Sequence, residues 1–99
     1  EPTYYANTSK VSTSQFASGS IIEGQVANSV LSRNIHVHKD SLVKDSILFP
    51  RVVIGEGAQV EYAILDKGVE VADGVVIRGT AEHPVVVKKG AKVTEDIHS

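Results

Sequence analysis

The chain has 99 residues, with 41% hydrophobic and 22% charged residues, a formal net charge of −2 and a pI near 6.1. This length fits one domain with a single core, and the small negative charge, three tyrosines and two phenylalanines offer no binding surface for nucleic acid. The absence of cysteine excludes disulfides and cysteine-ligated metal, and it is compatible with a cytosolic origin.

The N-terminal residues contain no targeting signal. The stretch from Glu1 to Tyr5 has no initiator methionine, no basic stretch and no apolar run. We therefore expect neither a signal peptide nor a membrane span, and we expect the chain to be a piece of a longer polypeptide.

Aliphatic residues recur every seventeen residues, which is the mark of a solenoid. The repeated positions are Val26, Leu31, Val37, Val43, Leu48, Ile54, Val60, Leu65, Val71 and Ile77. The steps of five, six and six residues predict three short strands and three corners in each triangular coil. We therefore predict an all-β, single-stranded parallel β-helix over residues 1–99, with regular coils over about 11–77.

A second set of inward positions follows from strand geometry. Side chains alternate between faces, so the residue two before each repeated position should also point inward. These columns are Ser29, Ser46 and Ala63; Ser41, Ala58 and Val75; and Ile35, Val52 and Val69. The residues expected to accept positive φ at corners are Asn34, Gly55, Gly57, Gly68 and Gly74.

The ends of the pattern are irregular. Val11, Phe16 and Ile22 continue it at the N-terminal end, but the step from Ile22 to Val26 is only four residues, which predicts an imperfect coil. The spacing also breaks after Arg78. We expect residues 78–99 to cap the helix or to pair along its side, because solenoid ends expose unpaired backbone.

Three segments carry a family resemblance: residues 28–33 (NSVLSR), 45–50 (DSILFP) and 64–74 (ILDKGVEVADG). Their order and spacing resemble successive coils at the end of bacterial glucose-1-phosphate adenylyltransferases. This resemblance implies a left-handed helix of the hexapeptide-repeat type. Residues 21–24 (IIEG) and 36–38 (HVH) are more similar to the regulatory-type glycogen biosynthesis subunit of some Gram-positive bacteria.

The resemblance implies a function for a longer parent. Such a parent is cytoplasmic and forms ADP-glucose and pyrophosphate from ATP and glucose 1-phosphate, using Mg and ATP in an N-terminal catalytic domain that this chain lacks. Nucleotidyl transfer needs a glycine-rich phosphate cradle, and no such loop occurs here. We therefore assign no catalytic, cofactor-binding or metal residue, and expect an oligomerisation and regulatory domain of a homo- or hetero-oligomer.

Val30, Ile47 and Ile64 are the most informative residues outside the core. Each precedes an inward residue, so the three should face outward in one column, which Phe49 extends. An exposed apolar patch of this kind usually marks a docking surface. We expect it to meet the parent's catalytic domain or another subunit; cover by the chain's own terminal segment is the alternative.

Cationic side chains occupy neighbouring corners of successive coils. Arg33, Arg51 and Lys67 could together hold the phosphate of a sugar-phosphate effector. Alternatively, Asp66 neutralises this patch through ordinary surface ion pairs.

His36 and His38 flank the inward Val37 and should point outward on one face. This geometry suits the imidazole base of an acyltransferase or half of a zinc site. The equivalent positions of the next two coils are Val53, Gly55, Glu70 and Ala72, which do not complete a metal site. A solvent-facing or interface pair is therefore favoured.

Two other classes of protein share this fold. A trimeric hexapeptide acyltransferase should have a long loop between coils, and none occurs between Val26 and Ile77. A non-enzymatic scaffold β-helix would lack the family-like segments, although its fold would be the same.

Overall fold

The computed structural model describes residues 19–99 throughout, together with the strand backbone at 4–5, 10–12 and 15–16. This part of the chain forms short β-strands, and none of its residues belongs to a helix able to span a membrane. The strands are β1 Tyr4–Tyr5, β2 Lys10–Ser12, β3 Gln15–Phe16, β4 Ile21–Ile22, β5 Gln25–Ala27, β6 Val30–Leu31, β7 His36–Val37, β8 Leu42–Lys44, β9 Ile47–Leu48, β10 Val53–Ile54, β11 Gln59–Glu61, β12 Ala63–Leu65, β13 Glu70–Val71, β14 Val76–Arg78, β15 Val85–Val87, β16 Lys92–Val93 and β17 Ile97–His98.

Every third strand belongs to the same sheet, so the chain winds as a three-sided parallel β-solenoid. Sheet A runs β1-β4-β7-β10-β13-β16, sheet B runs β17-β14-β11-β8-β5-β2 and sheet C runs β15-β12-β9-β6-β3. All the strand pairs are parallel, as in Val43 beside Val60 and Leu48 beside Leu65. The predicted fold class, an all-β parallel β-helix, is therefore confirmed.

The core is a set of vertical columns inside the solenoid. The ten repeated aliphatic positions from Val26 to Ile77 are all at most 2% exposed. The three second columns are buried as well, with Val75 the most exposed member at 5%. Close packing of like side chains from coil to coil gives the solenoid one continuous interior.

The corners also stack in columns. Residues with a left-handed backbone recur at corresponding corners in three columns: Asn28, Asp45 and Tyr62; Gly19, Asn34, Arg51, Gly68 and Gly90; and Asp40, Gly57 and Gly74. Most of their amides donate to a carbonyl of the preceding coil. Gly74, for example, donates to the Glu56 carbonyl at 2.9 Å.

Gly55 departs from the expectation for corner glycines. It does not have a positive φ; instead a Cβ built on it would lie 2.6 Å from the Asp73 Oδ1 atom and 2.7 Å from the Ala72 carbonyl carbon. Glycine is needed here because the next coil approaches the backbone too closely for any side chain.

The small residues of one inward column contribute hydrogen bonds as well as volume. The Ser29 hydroxyl donates to the Ala27 carbonyl at 2.9 Å and accepts the Ser46 amide at 3.1 Å. The Ser46 hydroxyl repeats both bonds one coil higher, to the Lys44 carbonyl at 2.8 Å and from the Ala63 amide at 3.2 Å. The hydroxyls thus give the buried amides of Ser46 and Ala63 an acceptor, while the two carbonyls also accept the Asp45 and Tyr62 amides.

The early coils are shorter than the regular ones, as the four-residue step predicted. Val26 pairs with Val11 fifteen residues earlier, and Val37 pairs with Ile22, also fifteen residues earlier. The inward side chains predicted for Val11 and Phe16 lie outside the described residues.

The C-terminal segment forms a further coil in register with the rest of the solenoid. Val85 lies beside Ala63, Val93 beside Val71, and Ile97 beside Ile77. The extra residues after Arg78 are accommodated by an exposed loop at 80–84, after which the inward alternation resumes with Val85 and Val87 buried. Strand pairing along the solenoid axis therefore tolerates a change in corner length.

We expect Ser46→Ala to destabilise the domain by about 1–3 kcal/mol, because it removes the hydroxyl that accepts the buried Ala63 amide. Urea denaturation followed by circular dichroism measures the change. Ser32→Ala, at a half-exposed corner position, is the matched control and should change stability by less than about 0.5 kcal/mol. Equal stability of the two variants would contradict the hydrogen-bonding role of Ser46.

Candidate functional site: an apolar stripe on sheet C

The predicted outward column exists, and it is longer than expected. Val30 lies beside Ile47, Ile47 beside Ile64, and Ile64 beside Val86 on the outer face of sheet C. Val30 is 44% exposed, Ile47 40% and Val86 66%, while Ile64 is half-buried. Together with Phe49, these four residues are called the apolar stripe below.

Phe49 widens the stripe at its centre. Its amide donates to the Leu65 carbonyl at 2.9 Å, so it continues β9 by one outward position beyond Ile47. The ring is 37% exposed. A contiguous apolar surface on one sheet is typical of a docking surface, whereas scattered apolar residues are not.

Sequence reasoning missed Val86 because the interrupted spacing after Arg78 hid its column. The signal that could have found it is the alternation in Val85–Val87, where only the middle residue is exposed. The described terminal parts of the chain do not lie over the stripe. β3 and β15 pair at the edges of sheet C, next to β6 and β12.

The structure brings together two of the three predicted cationic residues. Arg33 and Lys67 line a cleft of about 370 Å³ with Ser32 and Pro50. Arg51 does not line it; its amide donates to the Arg33 carbonyl at 3.2 Å. Two cations around an open cleft form a site suited to an anion.

Asp66 was the alternative partner for the cationic cleft. One of its carboxylate oxygens accepts the backbone amide of Lys67 at 2.7 Å. This bond serves the corner backbone rather than the lysine ammonium group.

The two histidines point outward on sheet A, as predicted, and they acquire a neighbour that sequence reasoning missed. Their rings stack with centroids 3.8 Å apart and planes 15° from parallel. Glu23 of the preceding coil joins them: His36 Nε2 lies 3.0 Å from Glu23 Oε1. A seventeen-residue period would place Ile21 beside His38, whereas the fifteen-residue offset of this coil places Glu23 there.

These features define the class of protein: a hexapeptide-type β-solenoid domain with an apolar face. The chain belongs to the GlmU-like, C-terminal hexapeptide family, whose match covers residues 3–96.

Two curated relatives are a glucose-1-phosphate adenylyltransferase and a glycogen biosynthesis protein. A glucose-1-phosphate adenylyltransferase of Bacillus cytotoxicus is 40% identical over 77 residues, which are 78% of this chain and 20% of the relative. The glycogen biosynthesis protein GlgD of Bacillus subtilis is 39% identical over 89 residues, which are 90% of this chain and 26% of the relative. The chain thus spans about a quarter or less of the length of these proteins.

A solved structure has the same fold. WeeI from Acinetobacter baumannii AYE matches with a TM-score of 0.52 at 21% sequence identity, over 94% of this chain and 50% of that one. This likeness supports the fold alone.

Replacing each of two adjacent residues of β9 with alanine tests which side chain points into the core and which points outward. Leu48→Ala removes a fully buried side chain and should destabilise the domain by about 2–5 kcal/mol. Ile47→Ala removes an exposed side chain and should cost less than about 1 kcal/mol, within the range of strand propensities. Chemical denaturation measures both values, and similar losses for the two variants would contradict the assigned orientation.

Proposed function

We propose that this chain is the non-catalytic oligomerisation and regulatory domain of a glucose-1-phosphate adenylyltransferase or of its regulatory-type subunit. The observation that carries the proposal is the apolar stripe on a domain that spans only a fraction of its relatives' length. The family match and the two relatives support the class of parent.

The parent's chemistry belongs to the same proposal. It forms ADP-glucose and pyrophosphate from ATP and glucose 1-phosphate in the cytoplasm, with Mg and ATP bound by a separate catalytic domain. The part played by this chain is to hold catalytic domains in a fixed arrangement within a homo- or hetero-oligomer.

The stripe is the surface through which this arrangement is held. Val30, Ile47 and Ile64 lie on strands that are paired on both sides, so docking would order little additional backbone. Val30 and Ile47 are in register on neighbouring two-residue strands, so their side chains stand next to each other on the outer face of sheet C. We propose that the occupant is the parent's catalytic domain or a second subunit.

Charging the stripe tests this docking. In the full-length parent, Ile47→Lys should weaken subunit or domain association at least about tenfold, because a buried, unpaired ammonium group costs several kcal/mol. Analytical ultracentrifugation and limited proteolysis between the domains measure the effect.

Ile21→Lys provides a matched control on another face. Ile21 is 39% exposed and is also the first residue of a two-residue strand, but it lies on sheet A. The control should leave association unchanged. Equal effects of the two substitutions, or no effect of either, would contradict docking through the stripe.

The cleft between Arg33 and Lys67 is the proposed binding site for a sugar-phosphate effector. Lys67→Gln should raise the effector concentration for half-maximal response of the full-length parent about tenfold or more, because it removes a charged partner of the phosphate. Lys88→Gln, an exposed lysine of a neighbouring corner, is the control. An unchanged response in Lys67→Gln, measured by enzyme activity against effector concentration, would exclude this cleft.

A further inference from the structure

We infer that Glu23, His36 and His38 form a binding site for a divalent transition-metal ion, with Zn²⁺ as the ion that their chemistry fits best. The site lies on sheet A, away from the apolar stripe on sheet C. It does not depend on the function proposed above.

The backbone register places the three side chains on one outer surface. His36 and His38 are two residues apart on the same strand and its extension, so both face outward. Glu23 belongs to the preceding coil. Its amide donates to the Val37 carbonyl at 2.8 Å, which places Glu23 beside His38. No long loop is needed to bring the ligands together.

The distances suit a shared ion. One ligand atom from each side chain can be chosen so that all three lie within 4.8 Å of one another, and His36 Nε2 and Glu23 Oε1 are 3.0 Å apart. Ligand atoms about 2.0–2.2 Å from a tetrahedral Zn²⁺ lie roughly 3.3–3.6 Å from each other. Because the two imidazole rings stack nearly parallel, one ring must turn out of the stack for both nitrogen lone pairs to meet at one ion.

The donor set selects the type of metal. Two imidazoles and one carboxylate suit zinc and its first-row neighbours, whereas calcium and magnesium prefer oxygen ligands alone. Three protein ligands leave a fourth position for water or an exogenous group.

The residue in register with His38 in the next coil is Gly55, whose backbone packs closely against Ala72 and Asp73. A cleft of about 220 Å³ adjoins His38 there and is lined by Gly55, Glu70 and Asp73 among others. The ligands themselves are half-buried, so an ion can reach them from solvent.

A hydrogen-bonded pair alone explains only part of this arrangement. Donation from His36 to Glu23 involves a single histidine. The His38 ring, held nearly parallel to the His36 ring, directs a second imidazole to the same surface. A bound metal ion uses all three groups.

To test the site, tag-free purified protein is titrated with Zn²⁺ in a buffer that does not chelate zinc, and binding is measured by isothermal titration calorimetry. We expect one ion per chain. His36→Asn and His38→Asn should each weaken binding at least tenfold, and Glu23→Gln should also weaken it because the amide lacks the carboxylate's charge. Circular dichroism of each variant checks that the fold is retained.

His98→Asn is the matched control, because His98 is an exposed histidine on sheet B with no part in the cluster. It should bind Zn²⁺ like the unmodified protein. Substitution with Co²⁺ gives a second readout: an intense visible absorption band of four-coordinate cobalt should appear in the unmodified protein and be lost in His38→Asn. Absence of saturable binding, or equal affinities in the His38→Asn and His98→Asn variants, would overturn the site.

Discussion

Parallel pairing of each strand with the corresponding strand of the next coil is the constraint on which the rest of the structure depends. Because the ladder runs along the solenoid axis, a side chain's nearest neighbour in space is the residue one coil away, not the residue next in sequence. Leu48 therefore packs on Leu65 inside, and Ile47 stacks on Ile64 outside, from the same pair of strands. One register thus determines both the core and the surface, and a change in register would alter both together.

The same constraint explains which features the sequence was able to predict. Between Val26 and Ile77 the coils have equal length. The seventeen-residue period and the alternation of side chains therefore predict the inward residues and the strands, and they also predict that Val30, Ile47 and Ile64 lie in register. Glu23 and Val86 lie beyond the two places where coil length changes. A seventeen-residue period does not lead to the columns of these two residues. Strand pairing fixes which residues lie side by side, but it does not fix how many residues form the corner between two strands.

Polar groups inside the solenoid show a second limit of sequence reasoning. The small size of Ser29 and Ser46 fits a narrow interior, but alanine would fit that volume as well, as Ala63 does one coil higher. The difference between serine and alanine lies in the corner backbone. The Ala63 amide donates to the Ser46 hydroxyl of the preceding coil. The Val85 amide, which occupies the same position one coil after Ala63, donates instead to the Tyr62 carbonyl at 3.0 Å. A hydroxyl is thus required only where the amide of the next coil has no backbone acceptor. Whether it has one depends on the conformation of the turn, which residue composition does not reveal.

The three-sided cross-section separates surfaces that carry different chemistry. The apolar stripe lies on sheet C and the Glu23, His36 and His38 cluster on sheet A, yet both are built from outward positions of the same coils. Since outward residues make no contribution to the interior columns, each face can change without disturbing the core that supports the others. A small solenoid can therefore present an apolar stripe, a cationic cleft and a cluster of two histidines and a glutamate at once, because the backbone ladder alone maintains the shape on which all three depend.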